Sequence, residues 1–160
     1  MTIKIGDKIP SATFKVMTAD GKGEMTSEAI FSGRKVVLFA VPGAFTGTCT
    51  NAHMPSFLAN FDAIKAKGVD MIACTSVNDI DVMTAWAKST GAEGKIVMLA
   101  DGNATFAKSV GLEKDLTVAG MGLRSSRYSM IVEDGIVTQL NVEGGPGIAI
   151  SGAEMIMSQL

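Results

Sequence analysis

Apolar residues along this chain fall into short blocks whose spacing alternates between two periods. Residues 35–41, Lys-Val-Val-Leu-Phe-Ala-Val, form an unbroken apolar run, which predicts a central strand buried on both faces. The run ends at Pro42-Gly43, a turn signal. Residues 69–75 (Val-Asp-Met-Ile-Ala-Cys-Thr) and 95–100 (Lys-Ile-Val-Met-Leu-Ala) repeat the theme. Between these runs the period lengthens. Over residues 55–67, Phe57, Leu58, Phe61 and Ile64 share one helical face, and Gly68 supplies the stop. From Asp79 to Lys88, acidic residues open a second helix and a lysine closes it, as the helix dipole favours. Further on, Tyr128-Ser-Met-Ile-Val and Ile136-Val-Thr-Gln-Leu flank Asp134-Gly135, a hairpin signal. Ser151-Gly-Ala-Glu154 reads as a capping box opening a C-terminal helix. The order predicts an α/β domain, a mixed central β-sheet flanked by helices on both faces. No repeat or linker interrupts it, so residues 1–160 are expected to form one domain.

Composition narrows the partners. Fourteen basic against 16 acidic residues give a formal charge of -2, so no basic field attracts a phosphate backbone, and nucleic acid is not expected. The first residues lack the apolar run of a signal sequence, and nowhere do about 18 apolar residues follow one another. No membrane association is expected, and the expected location is the cytoplasm. Two cysteines make at most one disulfide and lack the paired spacing of a structural zinc site, so neither metal nor cofactor is expected.

The chemistry concentrates in residues 42–49, Pro-Gly-Ala-Phe-Thr-Gly-Thr-Cys, between the central strand and a helix. Cys49 therefore falls in or beside a first helical turn, where free N–H groups and the positive dipole end favour a thiolate over a thiol. Thr46, one turn earlier, offers a hydroxyl near the sulfur, and Pro42 shields it from water. A free cysteine is also commonly a small buried hydrophobe. The whole spacing, Pro-x-x-x-Thr-x-x-Cys, is what favours the functional reading.

That spacing resembles the peroxiredoxins, thiol peroxidases of the thioredoxin fold. Val41-Pro-Gly-Ala-Phe-Thr46 is similar to the peroxiredoxin-5 or type II subfamily, as are His53-Met-Pro55, Ser76-Val-Asn-Asp79, Ala100-Asp101, Arg127-Tyr-Ser-Met130 and Asn141-Val-Glu143. These segments stand in family order from Gly6-Asp7 to the C-terminal Ser-Gln-Leu. The resemblance implies a thioredoxin-like fold. It also implies Cys49 as the peroxidatic cysteine, with Pro42 and Thr46 as motif partners and Arg127 as the distant arginine. An arginine beside a thiolate stabilises the anion and orients a peroxide through directional N–H bonds. The implied substrates are hydrogen peroxide and small alkyl hydroperoxides, and the implied assembly is a homodimer around Phe45 and the loops near Cys49. Gly47 departs from the pattern, standing where many members carry a second proline.

Cys74, 25 residues after Cys49, ends a predicted buried strand and reads as a packed core thiol. Plant-like members carry a cysteine at this spacing. Animal-like members place a resolving cysteine where this chain has Ile150, in Gly145-Pro-Gly-Ile-Ala-Ile150. A one-cysteine cycle is therefore expected, reset by glutathione with glutaredoxin, or by thioredoxin.

His53, four residues after Cys49, suits a cysteine–histidine hydrolase, but no second histidine or orienting partner accompanies it, so it reads as a packing or interface residue. Gly120-Met-Gly122 with Arg124 reads as a wall near the thiol rather than a phosphate loop. Trp86 is expected to be partly buried, and most of the 11 methionines to be core filler. The rival reading is a non-catalytic thioredoxin-fold signalling or holdase module. A thiol–disulfide oxidoreductase is disfavoured by the absence of Cys-x-x-Cys.

Overall fold

A computed structural model describes residues 1–160. The expected apolar runs become β3 (Lys35–Ala40), β4 (Met71–Ser76) and β5 (Val97–Ala100), three parallel strands at the heart of a seven-stranded sheet. On one side β8 (Tyr128–Glu133) and β9 (Ile136–Val142) extend the sheet antiparallel. On the other lies a hairpin of β1 (Thr13–Thr18) and β2 (Gly21–Thr26), giving the order β2-β1-β5-β4-β3-β8-β9. Asp134 and Gly135 turn the β8–β9 hairpin with φ of 48° and 80°, the left-handed pair that a two-residue hairpin requires. A small separate hairpin pairs β6 (Glu113–Asp115) with β7 (Leu123–Ser125).

The alternation of side chains along β3 splits the core in two. Val37, Phe39 and Val41 join an apolar cluster with Met54, Phe57, Ile64, Trp86 and Ile156. Val36, Leu38 and Ala40 join a second one with Phe14, Phe31, Phe106 and Tyr128. Helices α2 (Met54–Ala59), α3 (Phe61–Ala66), α4 (Ile80–Thr90) and α6 (Ala153–Gln159) supply the first cluster; α1 (Ser27–Phe31) and α5 (Thr105–Ser109) supply the second. The fold is α/β with a mixed sheet covered on both faces.

Three local expectations are corrected, and one turn was not signalled by the pattern. The single helix over 55–67 is two, broken at Asn60, whose side chain turns back to donate to the Ser56 carbonyl at 2.8 Å. A π-helical turn, Cys49–His53, precedes α2, with Met54 N–H donating to Cys49 O. Pro55 gives the reason, since its ring carries no N–H and crowds the carbonyl four residues back. The capping box at 151–154 does not form: Gly152 caps α6, and Ser56 Oγ from α2 accepts the Ala153 N–H at 3.2 Å. Trp86 is fully rather than partly buried, and its indole N–H donates to Thr50 Oγ1 at 3.0 Å.

Candidate active site

Register assembles the site from segments distant in sequence. Ala40, the last residue of β3, pairs with Tyr128, the first of β8, and Tyr128 pairs in turn with Val142 at the end of β9. Arg127 and Glu143 therefore emerge beside the loop that leaves β3 toward Cys49. Asn78, just beyond β4, holds that loop from below. Its Oδ1 accepts the Ala44 N–H at 3.0 Å and the Ser76 hydroxyl at 2.6 Å. Close packing completes the support. A Cβ on Gly43 would lie 3.0 Å from Thr46 Cγ2 and 3.1 Å from Met121 Cε, so glycine packs closely between Thr46 and the wall formed by Met121 and Arg124, and a larger residue would make these side chains shift.

Cys49 opens the π-helical turn and is fully buried. Arg127, 78 residues away, donates from Nη2 to Cys49 Sγ at 3.1 Å. Its Nη1 donates to His53 Nδ1 at 2.8 Å. Because a guanidinium only donates, Nδ1 is the unprotonated nitrogen of the ring. The proton sits on Nε2, which donates to the Ser151 carbonyl at 2.8 Å. Burial, the Ser151 carbonyl notwithstanding, and the Arg127 charge pull the His53 pKa down to about 4, so the ring is neutral at physiological pH. Phe39 and Phe57 stack at 4.1 Å, and His53 tilts against both. His53 is thus no mere packing or interface residue. It is the second partner of Arg127, and the signal was its four-residue spacing from Cys49, which puts both on one side of the turn.

Thr46 already has a partner for its hydroxyl. Its hydroxyl donates to the Gly43 carbonyl at 2.7 Å rather than to the sulfur, so what it presents outward is lone pairs. Its carbonyl accepts the Thr50 N–H at 3.0 Å, the first helical bond, which makes Thr46 the cap and Gly47 the first helical residue. Pro42 and Arg127 line a cleft of about 440 Å³ with Thr48, Lys114, Ser126 and Glu143. A mostly apolar hollow of similar size, about 470 Å³ between β1, β5 and α4, includes none of Pro42, Thr46, Cys49, His53 or Arg127. No group of three or more His, Cys, Asp or Glu residues stands together as a metal site.

Cys74 lies inside β4, paired with Phe39 and Met98 of the neighbouring strands and fully buried, its sulfur 4.0 Å from the Thr75 carbonyl. Burial, and next the nearby Cys49, push its thiol well above the ordinary range. Both cysteines are free.

Residues 4–156 match the redoxin family model. The chain is 44% identical over 164 residues to the chloroplastic peroxiredoxin-2E-2 of Oryza sativa subsp. japonica, across 99% of this chain and 73% of that protein. Its structure superposes with TM-score 0.95 on reduced Prx3 in complex with hydrogen peroxide from Vibrio vulnificus, 49% identical over 99% of each chain. It also superposes, with TM-score 0.91, on the 1-Cys peroxiredoxin called antioxidant protein from Plasmodium falciparum, 28% identical over 98% of each chain. The chain belongs to the redoxin family and, within it, to the peroxiredoxins. It is a thiol-dependent peroxidase, an oxidoreductase with a thioredoxin-like fold.

Proposed function

We propose that Cys49 is the peroxidatic thiolate, that Arg127 is its catalytic partner, and that Thr46 and Pro42 complete the peroxide site. The observation that carries this is the guanidinium fork, one arm 3.1 Å from Cys49 Sγ and the other held by His53. A charge-assisted contact of this kind favours anionic over neutral sulfur. The thiolate lone pair attacks one peroxide oxygen. The S–O bond forms as the O–O bond breaks, and the departing electron pair goes onto the second oxygen, which takes a proton and leaves as water or alcohol. Arg127 faces the oxygen on which charge develops. Thr46, its own proton committed to Gly43, accepts a hydrogen bond from the peroxide O–H and so sets which oxygen meets the sulfur. Pro42, which shares a cleft wall with Arg127, is proposed to keep bulk water off the thiolate.

The sulfenic acid that results is reset by an external thiol. The first thiol condenses with it to a mixed disulfide and water. A second thiol displaces Cys49 and carries the disulfide away. Glutathione with glutaredoxin, or thioredoxin, is the proposed source. Support comes from Cys74, whose place inside β4 holds it from pairing with Cys49 without local unfolding. A reducing compartment, the cytoplasm, and a homodimer built around the exposed Phe45 complete the reading.

Stopped-flow Trp86 fluorescence tests the core of it, because Trp86 is hydrogen-bonded to Thr50, the residue next to Cys49. A fast phase whose rate scales with hydrogen peroxide, absent from Cys49→Ser, is expected, with one added oxygen on Cys49 by mass. Reaction no faster than a free thiol's would overturn the assignment. Cys74→Ala should retain turnover with external thiols; loss with every reductant at unchanged stability would end the one-cysteine reading. Sedimentation of Phe45→Asp, expected to shift the protein to monomer, tests the dimer.

A further inference from the structure

Glu143 closes the far side of the site in a way that the reaction scheme above does not use. Its Oε2 accepts three consecutive backbone N–H groups, from Ala149, Ile150 and Ser151, at 2.9, 2.8 and 2.7 Å. The same Ser151 offers its carbonyl to His53, and His53 receives Arg127. The Glu143 N–H donates to the Arg127 carbonyl at 3.0 Å. Four residues thus form a ring of hydrogen bonds that starts and ends on Arg127, leaving Nη2 for the Cys49 sulfur. The segment inside the ring, Gly144-Gly-Pro-Gly-Ile-Ala-Ile150, contains three glycines and has no strand or helix to order it. Such a stretch loses more conformational freedom on folding than ordinary chain. One carboxylate oxygen gathering three N–H groups supplies the missing order.

We propose that Glu143 is a positioning residue for peroxide reduction: it pins residues 149–151, Ser151 fixes the His53 ring, and His53 aims Arg127. The proposal rests on the reading of Arg127 as catalytic. A guanidinium on a flexible stem has many rotamers, and the reaction needs one. The carboxylate grips by accepting three directed N–H bonds, so an amide at the same place keeps an acceptor oxygen there, with weaker bonds.

The test measures the second-order rate constant of the full-length reduced protein with hydrogen peroxide, beside iodoacetamide alkylation at about pH 10, where ionisation of the thiol no longer limits the rate. Glu143→Ala is expected to lose about tenfold against peroxide, as a mis-aimed catalytic group does, with alkylation unchanged. Glu143→Gln, retaining an acceptor oxygen, is expected within about threefold of wild type. In a His53→Leu background the alanine change should cost less than about twofold more, since the path it acts through is already cut. A Glu143→Ala enzyme that melts lower yet keeps the wild-type peroxide rate overturns the proposal. So does a glutamine variant as slow as the alanine one, or a full tenfold loss in the His53→Leu background. Should Glu143→Ala not fold, Glu143→Asp replaces it. Its carboxylate is one methylene short of the three N–H groups, and a rate at or above that of Glu143→Gln overturns the proposal. Arg127→Gln at the wild-type rate would instead sink the Arg127 reading, which separates the two failures.

Discussion

Cys49 and Cys74 are both fully buried, both free, and both part of the same apolar cluster. What reaches each sulfur differs. Cys74 sits in mid-strand, where every backbone group is occupied by the ladder and the neighbours are Phe39 and Met98. Cys49 sits at the mouth of a helix, with a guanidinium nitrogen at 3.1 Å. Burial alone disfavours a thiolate. A guanidinium nitrogen that is itself held in place reaches one sulfur, while burial pushes the other thiol well above the ordinary range. On the function proposed above, reactivity is set by one long-range polar contact, not by exposure.

The comparison breaks outright if the two thiols can exchange roles. Cys49→Ser should abolish peroxide turnover, whereas Cys74→Ala should leave the rate with peroxide within about twofold, as expected for a change that removes no polar contact to the reacting sulfur. Peroxidase assays with a fixed external thiol decide it, and residual turnover in Cys49→Ser would mean that Cys74 is reactive after all. The next largest effect comes from making Cys49 resemble Cys74. Arg127→Gln removes the cation while keeping a donor, and should cost about 10²–10³ in the peroxide rate constant, the range for losing one aimed donor to developing charge. A loss below about tenfold would show that burial and the helix mouth, not the arginine, distinguish the two sulfurs.

Much of this contrast was legible in the sequence. The β3 run announced a buried strand because it is apolar at every position after Lys35, and Pro-x-x-x-Thr-x-x-Cys after it marked the thiol. Arg127 was reached through resemblance; its physical reason is the pairing of Ala40 with Tyr128, a register that no local pattern encodes. His53 was misread for the same cause. Its partners, Arg127 and Ser151, lie 74 and 98 residues away, so the sequence offered a lone histidine where the fold makes a link. The direction in which the Thr46 hydroxyl donates was not legible, since the Gly43 carbonyl takes the proton within the same turn. The β1–β2 and β6–β7 hairpins gave little signal. β2 reads Gly-Lys-Gly-Glu-Met-Thr at the sheet edge, and β6 reads Glu-Lys-Asp, exposed throughout.

His53 sharpens the comparison through pH. Its folded pKa of about 4 lies below the ordinary 6.5, so the unfolded chain takes up a proton that the folded chain refuses. Stability is therefore full above pH 6.5 and falls as the pH drops toward 4, by on the order of 3 kcal/mol in all. Glu143 adds a separate, lower window. Burial raises its pKa, but the hydrogen bonds from Ser151, Ile150 and Ala149 outweigh that and hold it below the usual 4.5. Its contribution is lost only as the pH falls below that value. Urea unfolding between pH 7 and 4 should show the first decline in wild type and a much flatter profile in His53→Gln. An equal decline in both would mean that the site's histidine is not the group refusing the proton.

The smallest effect concerns the loop that brings Cys49 to Arg127. Gly47 is the first helical residue after the Thr46 cap, its φ is not in the left-handed region, and a Cβ there meets nothing within 4 Å. Proline is favoured at that position because the N–H it lacks has no intrahelical partner. Gly47→Pro should therefore stabilise the protein by about 0.5–1 kcal/mol, chiefly by restricting the unfolded chain. The peroxide rate should stay within about twofold, because the Cys49–Arg127 contact is already formed with glycine in place. Thermal unfolding and stopped-flow rates on the same sample check both halves. A variant that is no more stable but distinctly faster would show that the loop before Cys49 limits the reaction, and that the contrast between the two cysteines depends on this loop as well as on Arg127.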